Sequence, residues 1–163
     1  MIFDIITEPN PQLRQVCDPV EVFDDALVQI VADMRETMHA KRGMGLAAPQ
    51  VGLKQRLVVL EYAPKDSDEA IIPFTALINP RITWSSPDRI KMFEGCLSLP
   101  GLEGEVQRPR RVRVKAQDLT GQKVEIRASG LFARILQHEI DHLDGVLYSD
   151  LMAPGTKPTP VKE

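Results

Sequence analysis

All the segments of this chain that read as β-strand lie between two helical segments, and that grouping limits the architectures open to it. The clearest strand is 111–117, where Val112 and Val114 alternate with Arg111, Arg113 and Lys115, so one face is apolar and the other charged. Asp118-Leu119-Thr120-Gly121 predicts a turn, after which 123–127 returns as the second arm of a hairpin. Upstream, 56–61, 70–78, 82–84 and 90–93 also carry strand character. The first helix begins at a cap on Asp24 or Asp25 and runs to about His39 or Ala40. It sets Leu27, Ile30, Val31, Met34 and Met38 on one face as core, with Gly43 placed as a left-handed cap. The second spans about 130–143, with Ser129 as its cap. Strands grouped between two separated helices predict an α+β fold with mainly antiparallel sheets.

Length and composition narrow the function classes. A chain of 163 residues fits one domain, and 43% apolar content supplies a core. A net charge of -3 lacks the basic excess that grips phosphate backbones, so no direct nucleic-acid binding is expected. No apolar run approaches the roughly 20 residues of a membrane helix. Met1-Ile2-Phe3-Asp4 has no basic stretch of the signal-peptide kind. The expectation is a soluble, cytoplasmic protein. It is expected as a monomer, since no heptad pattern or large apolar helix face suggests a partner helix. Pro154, Pro158 and Pro160 exclude a regular helix near the end, so the division expected is one domain over 1–153 and a flexible Pro-rich tail over 154–163.

The second helix carries the chemistry. In QHEIDHLDG (137–145), His138 and His142 stand four apart and project from one helix face, where both imidazoles can grip one ion. Glu139 sits beside the first histidine, within reach of a metal-bound water as a base. Leu131 and Ile135 share that face and put the ions' place at the edge of an apolar pocket. Two packed or solvated histidines have the same spacing, so a third ligand is needed. His39 lies outside any motif and reads as a surface residue, and Cys17 as a small buried one. Cys96 lies in EGCLSLP (94–100), where Gly95 allows close backbone approach and Pro100 stops the chain from continuing as a central strand. One thiolate and two imidazoles leave a fourth position for water, the open catalytic arrangement. A third segment, GMGLAAPQ (43–50), wraps small residues around Gln50, whose amide can meet an oxyanion if the loop lines the pocket.

Taken in order, GMGLAAPQ, EGCLSLP and QHEIDHLDG resemble the three motifs of the peptide deformylase family, and the resemblance covers most of the chain. It implies hydrolysis of the formyl group from the N-terminal formyl-methionine of newly made polypeptides, with the HExxH helix at the centre of the fold. By motif position it gives Cys96, His138 and His142 to a metal and Glu139 the role of general base, then acid. Metal-bound water would attack the formyl carbon, with Gln50 and the N–H of Leu97 meeting the oxyanion. The family's usual ion is Fe(II), with Zn, Ni or Co able to take the site.

Substrate recognition is expected from the same segments. Gly45 and the Gly95 region suit an edge strand that pairs with an extended peptide. Met44, Met92, Leu131 and Ile135 are candidates for the methionine pocket, or are ordinary core. Arg134, one turn before His138, is either at the pocket rim meeting a substrate carbonyl or simply solvated. Glu94 and Arg108 are expected to pair and steady the Cys96 segment. Many family members continue into a C-terminal helix that in some docks on the ribosome. Here that helix is not evident, and ribosome contact is left to another surface or to diffusion. Two other readings share parts of the pattern: a zinc peptidase, opposed by the thiolate and the tight Gly/Ala loop, and a non-catalytic metal binder, opposed by Glu139 and Gln50.

Overall fold

The structure, a computed structural model, describes residues 1–65 and 71–162. Ala70, expected at the start of a strand, and Glu163, expected in the tail, lie outside the described residues. The fold is α+β. Helix α1 (Asp25–Ala40) is followed by strands β1 (Gly45–Ala47), β2 (Leu57–Tyr62), β3 (Ile72–Ser85), β4 (Arg89–Cys96), β5 (Leu99–Pro109), β6 (Arg111–Gln117) and β7 (Lys123–Ser129). Helix α2 (Gly130–Leu143) and a two-residue strand β8 (Thr159–Pro160) complete it. All strand pairs are antiparallel, in a five-stranded sheet ordered β1-β2-β3-β6-β7 and a three-stranded sheet ordered β4-β5-β8. No helix among the described residues is long and apolar enough to cross a membrane.

The larger sheet is packed on both faces. Val58, Leu60, Val112 and Val114 meet Ile135, Leu136 and Ile140 of α2 on one side. Leu57, Val59 and Ile78 meet Leu27, Val31, Met34 and Met38 of α1 on the other. Period-2 alternation in β6 and helical spacing in α1 thus meet across the same strands. The hairpin turn forms as its residues predict: Asp118 Oδ1 accepts from Thr120 N at 2.8 Å and Gln122 N at 3.1 Å, and Gly121 takes φ 86°. Asp24 caps α1 by accepting from Leu27 N at 3.0 Å. Ser129 occupies the N-cap position of α2, but its side chain makes no capping bond.

Several boundaries differ from the sequence expectation. The left-handed residue after α1 is Arg42, at φ 57°, and not Gly43. Arg42 N donates to His39 O at 3.1 Å and Gly43 N to Met38 O at 2.9 Å, a Schellman closure displaced by one residue. Gly43 packs against Leu97 instead, where a Cβ would lie 2.9 Å from Leu97 Cδ1 and the leucine end would have to shift. The segments 70–78 and 82–84 join in one strand, β3, that bends through a shift in register between Ile78 and Arg81. Pro100 does not stop the chain: β5 runs through it and becomes the central strand of the smaller sheet. The missing N–H costs nothing there, because the pairing with β4 skips from Leu99 to Glu103 and β8 pairs only with Leu102 and Glu103. The stretch expected as a loose tail lays Thr159 and Pro160 against that strand, and Val161 N donates to Gly101 O at 2.9 Å.

Candidate metal centre

Helix α2 brings the two histidines to one place because its apolar face must be buried. Every residue from Ala133 to Ile140 is buried, so His138 and Glu139 enter the interior with it, and His142 follows one turn later. Cys96 ends β4, and a bulge between Gly95 and Cys96 turns its side chain toward the helix. Ligand atoms of Cys96, His138 and His142 all lie within 4.8 Å of one another. Cys96 Sγ is 3.4 Å from His142 Nε2. Bond lengths of about 2.0–2.3 Å to a tetrahedral ion place its ligand atoms about 3.5 Å apart, so the cluster fits one ion with little adjustment.

The surroundings fit a cation as well. His138 Nδ1 lies 2.8 Å from Glu94 Oε1, which leaves Nε2 for the cluster. Burial disfavours the charged form of His138, yet Glu139, Cys96 and Glu94 outweigh it and raise its pKa well above the ordinary value. Acceptors converging on one point in this way describe a place made for positive charge. Burial, with the charge of His138, holds His142 neutral, the form a ligand needs. Among the described residues Glu139 Oε1 is buried with no hydrogen-bond partner, and burial pushes its carboxyl up to about 7.

Glu94 anchors the site from behind. Arg108 Nε donates to Glu94 Oε2 at 2.6 Å and Nη2 to Oε1 at 2.9 Å, so the expected pair is present and bidentate. Burial would raise the Glu94 pKa, but hydrogen bonds from His138 and Arg108 outweigh it and hold the carboxyl at about 2. Arg134 is not solvated; it is buried at the cavity wall. It is 4% exposed, donates to Glu94 Oε2, and gives its other terminal donors to Val106 O at 3.0 Å and Ile90 O at 2.7 Å. An arginine at this depth survives because a carboxylate and two strand carbonyls are already waiting for it. Asp141, which sequence reasoning passed over, completes the group by accepting from Arg108 Nη1 at 2.8 Å.

Gln50 approaches from the opposite side. Its Oε1 accepts from Ala47 N at 2.9 Å, which fixes the amide orientation. Its Nε2 donates to Ser98 Oγ at 3.1 Å and lies 3.5 Å from Cys96 Sγ. Ser98, also passed over, is fully buried and ties this corner to the N-terminal segment by donating to Ile6 O at 2.7 Å. Gly45 touches Glu139 so closely that a Cβ would stand 2.5 Å from Oε2.

A cavity of about 440 Å³ opens beside the cluster. The structure brings Met44, Met92, Leu131 and Ile135 to its wall, together with Gly45, Gly95, Gln50, Leu97 and Glu139. Met44 is 41% exposed at the mouth, while Ile135 is buried. Phe93 and Leu102, which no motif singled out, also line it. Both strands flanking the opening are sheet edges, β1 in the larger sheet and β4 in the smaller. His39 lies outside, exposed and paired with Glu61, and Cys17 is buried away from the cluster.

Over residues 2–158 the chain matches the family model of polypeptide deformylases. It is 45% identical over 149 residues to a peptide deformylase of Bartonella tribocorum, covering 91% of this chain and 83% of that one. A peptide deformylase of Thermomicrobium roseum is 47% identical over 148 residues, with 90% and 83% covered. Among solved structures, a peptide deformylase from Legionella pneumophila superposes with a TM-score of 0.85 at 42% identity, covering 94% of this chain and 88% of that one. One from Thermotoga maritima gives 0.85 at 39% identity, with 94% and 99% covered.

Proposed function

The chain belongs to the polypeptide deformylase family, and from that premise we propose that it removes the formyl group from the N-terminal formyl-methionine of newly made polypeptides, releasing formate. The observation that carries this reading is the convergence of Cys96, His138 and His142 beside a cavity-lining, buried Glu139 whose Oε1 has no hydrogen-bond partner among the described residues. A divalent ion held by these three ligands, iron(II) in our assignment with Zn, Ni or Co compatible with the same donors, would supply Lewis acidity toward the formyl oxygen and the attacking water.

The remaining work falls to side chains and backbone. Formamide hydrolysis adds water across the carbonyl carbon and breaks the C–N bond, so one proton must leave the water and one must reach the amine. Glu139 takes the first on its carboxylate and delivers the second to the departing nitrogen. Its buried carboxyl, held near neutrality, suits both halves of that transfer. Negative charge grows on the formyl oxygen, where Gln50 Nε2 and the N–H of Leu97 donate to it. Gln50 needs no reorientation, because Ala47 N already fixes its oxygen end.

Substrate backbone pairs with the edges of β1 at Gly45 and β4 at Gly95. The methionine side chain enters among Met44, Met92, Leu131 and Ile135, where unbranched, polarizable contacts suit it. Glu94, clamped by Arg108 and Arg134, keeps His138 aimed at the cluster. A cytoplasmic monomer meeting chains as they emerge is the setting we assign. Formate release from formyl-Met-Ala-Ser tests the reading. Wild type should release formate, and Glu139→Ala should lose about 100-fold or more with its fold and metal content unchanged. Comparable rates on N-acetylated or internal peptide bonds would favour a peptidase instead.

A further inference from the structure

Helix α1 packs on β1, β2 and the first half of β3, and no helix or strand among the described residues covers the rest of that sheet face. The uncovered part carries the exposed residues of three paired strands. Arg81 of β3 stands opposite Lys115 of β6, Trp84 opposite Arg113, and Arg113 in turn opposite Arg127 of β7. Arg111 and Lys123 extend the same rows. Glu125 stands opposite Lys115 and lies 3.5 Å from Arg127, as the acid within these rows, and Asp88 reaches Arg111 from the rim at 3.8 Å.

Two features separate this face from an ordinary solvated one. Cross-strand partners on exposed sheets usually alternate in sign, and like charges directly opposite destabilise the pairing. Here Arg81 faces Lys115 and Arg113 faces Arg127, two like pairs against the one opposite pair of Lys115 with Glu125, in a chain whose net charge is -3. The second feature is Trp84, 39% exposed among the cations, with the Arg113 guanidinium 5.0 Å and that of Arg111 5.8 Å from its ring. Neighbouring cations along one strand stand about 6.7 Å apart, and those on paired strands about 5 Å.

We propose that this face docks a single-stranded nucleic acid, with phosphates on the rows of cations and an unstacked base on Trp84. Clustered guanidinium and ammonium groups answer a polyphosphate, and an aromatic ring among them answers a base that duplex pairing does not hide. A lipid headgroup layer offers the charge without that ring partner. The face lies on the side of the sheet opposite α2, so a bound strand leaves the cavity open. The whole-chain charge concealed this arrangement, and the absence of nucleic-acid binding expected from it is what the proposal replaces.

Trp84 is the single tryptophan of the chain, so its fluorescence reports on this face alone. Oligo(U) and oligo(dT) of about 16 nucleotides, near the upper end of a compact single-strand site, serve as probes. Either should quench Trp84, and the stronger of the two identifies the source. The logarithm of affinity should fall against that of salt with a slope of about -4 for six contacted phosphates. The triple variant Arg81→Glu, Arg113→Glu, Arg127→Glu should bind about 100-fold more weakly or worse, while formate release and the circular dichroism stay at wild-type levels. Trp84→Ala, followed by anisotropy of a labelled strand, should weaken binding about 10-fold. Lack of quenching at about 50 mM salt, full binding by the triple variant, or binding to phosphatidylserine vesicles with none to either oligonucleotide would overturn the proposal.

Discussion

Gly45 and Glu139 touch so closely that the identity of one residue sets the position of the other. A Cβ at 45 would fall 2.5 Å from Glu139 Oε2, and Glu139 sits on a buried helix that cannot retreat. Gly45→Ala is therefore expected to turn the carboxylate away and lower kcat/KM by about 100-fold, the scale of a lost general base, with little change in thermal stability. Steady-state kinetics beside a melting curve checks it. Glu94 makes the complementary case, since its replacement acts on stability first. Glu94→Gln leaves Arg108 and Arg134 buried without a carboxylate, and should cost about 3–5 kcal/mol in denaturant unfolding. The pH dependence follows in sign. The folded pKa of about 2 lies below the ordinary 4.5, so this stabilisation is complete above about 4.5 and is lost as pH falls toward 2. Wild type should lose stability across that window more steeply than Glu94→Gln. Of this network the Glu94–Arg108 pair could be read from the sequence, because both residues flank the Cys96 segment. Arg134 could not: one turn before a histidine, an arginine reads as solvated or at the pocket rim, and its burial rests on the Glu94 carboxylate together with the carbonyls of Ile90 and Val106, which meet it only in the fold.

At the level of elements, the two helices and the β6–β7 hairpin were legible because each carries its own period and its own turn residues. The junctions were not, since closure is decided by contacts from elsewhere. After α1, glycine at 43 invites a left-handed cap, but Leu97 packs against that glycine and the turn moves back to Arg42. Arg42→Gly should accordingly stabilise the protein by about 0.5–1 kcal/mol, since glycine adopts φ 57° without a Cβ clash. A rise in the denaturant midpoint at constant slope is the expected result. Strand β5 was hidden for a related reason. Pro100 and the glycines at 101 and 104 argue against a strand in isolation, yet the register skips the proline and the strand forms around it.

For the whole molecule, the site could be read in outline from three short motifs, whereas the distribution of surface charge could not be read from its sum. The cations of β3, β6 and β7 meet only after the sheet is assembled, and acids elsewhere cancel them in the total. The fold's central consequence is that β4, α2 and the turn after β1 gather a buried carboxylate, an amide and three residues able to hold a metal beside one cavity. Anaerobic titration of metal-free protein with iron(II), scoring formate release and bound iron in the same samples, tests that claim most directly. Release should climb in proportion to bound iron and level off at one ion per chain, and Cys96→Ala should bind iron far more weakly. Full release from metal-free protein, or none from protein holding one ion per chain, would contradict it.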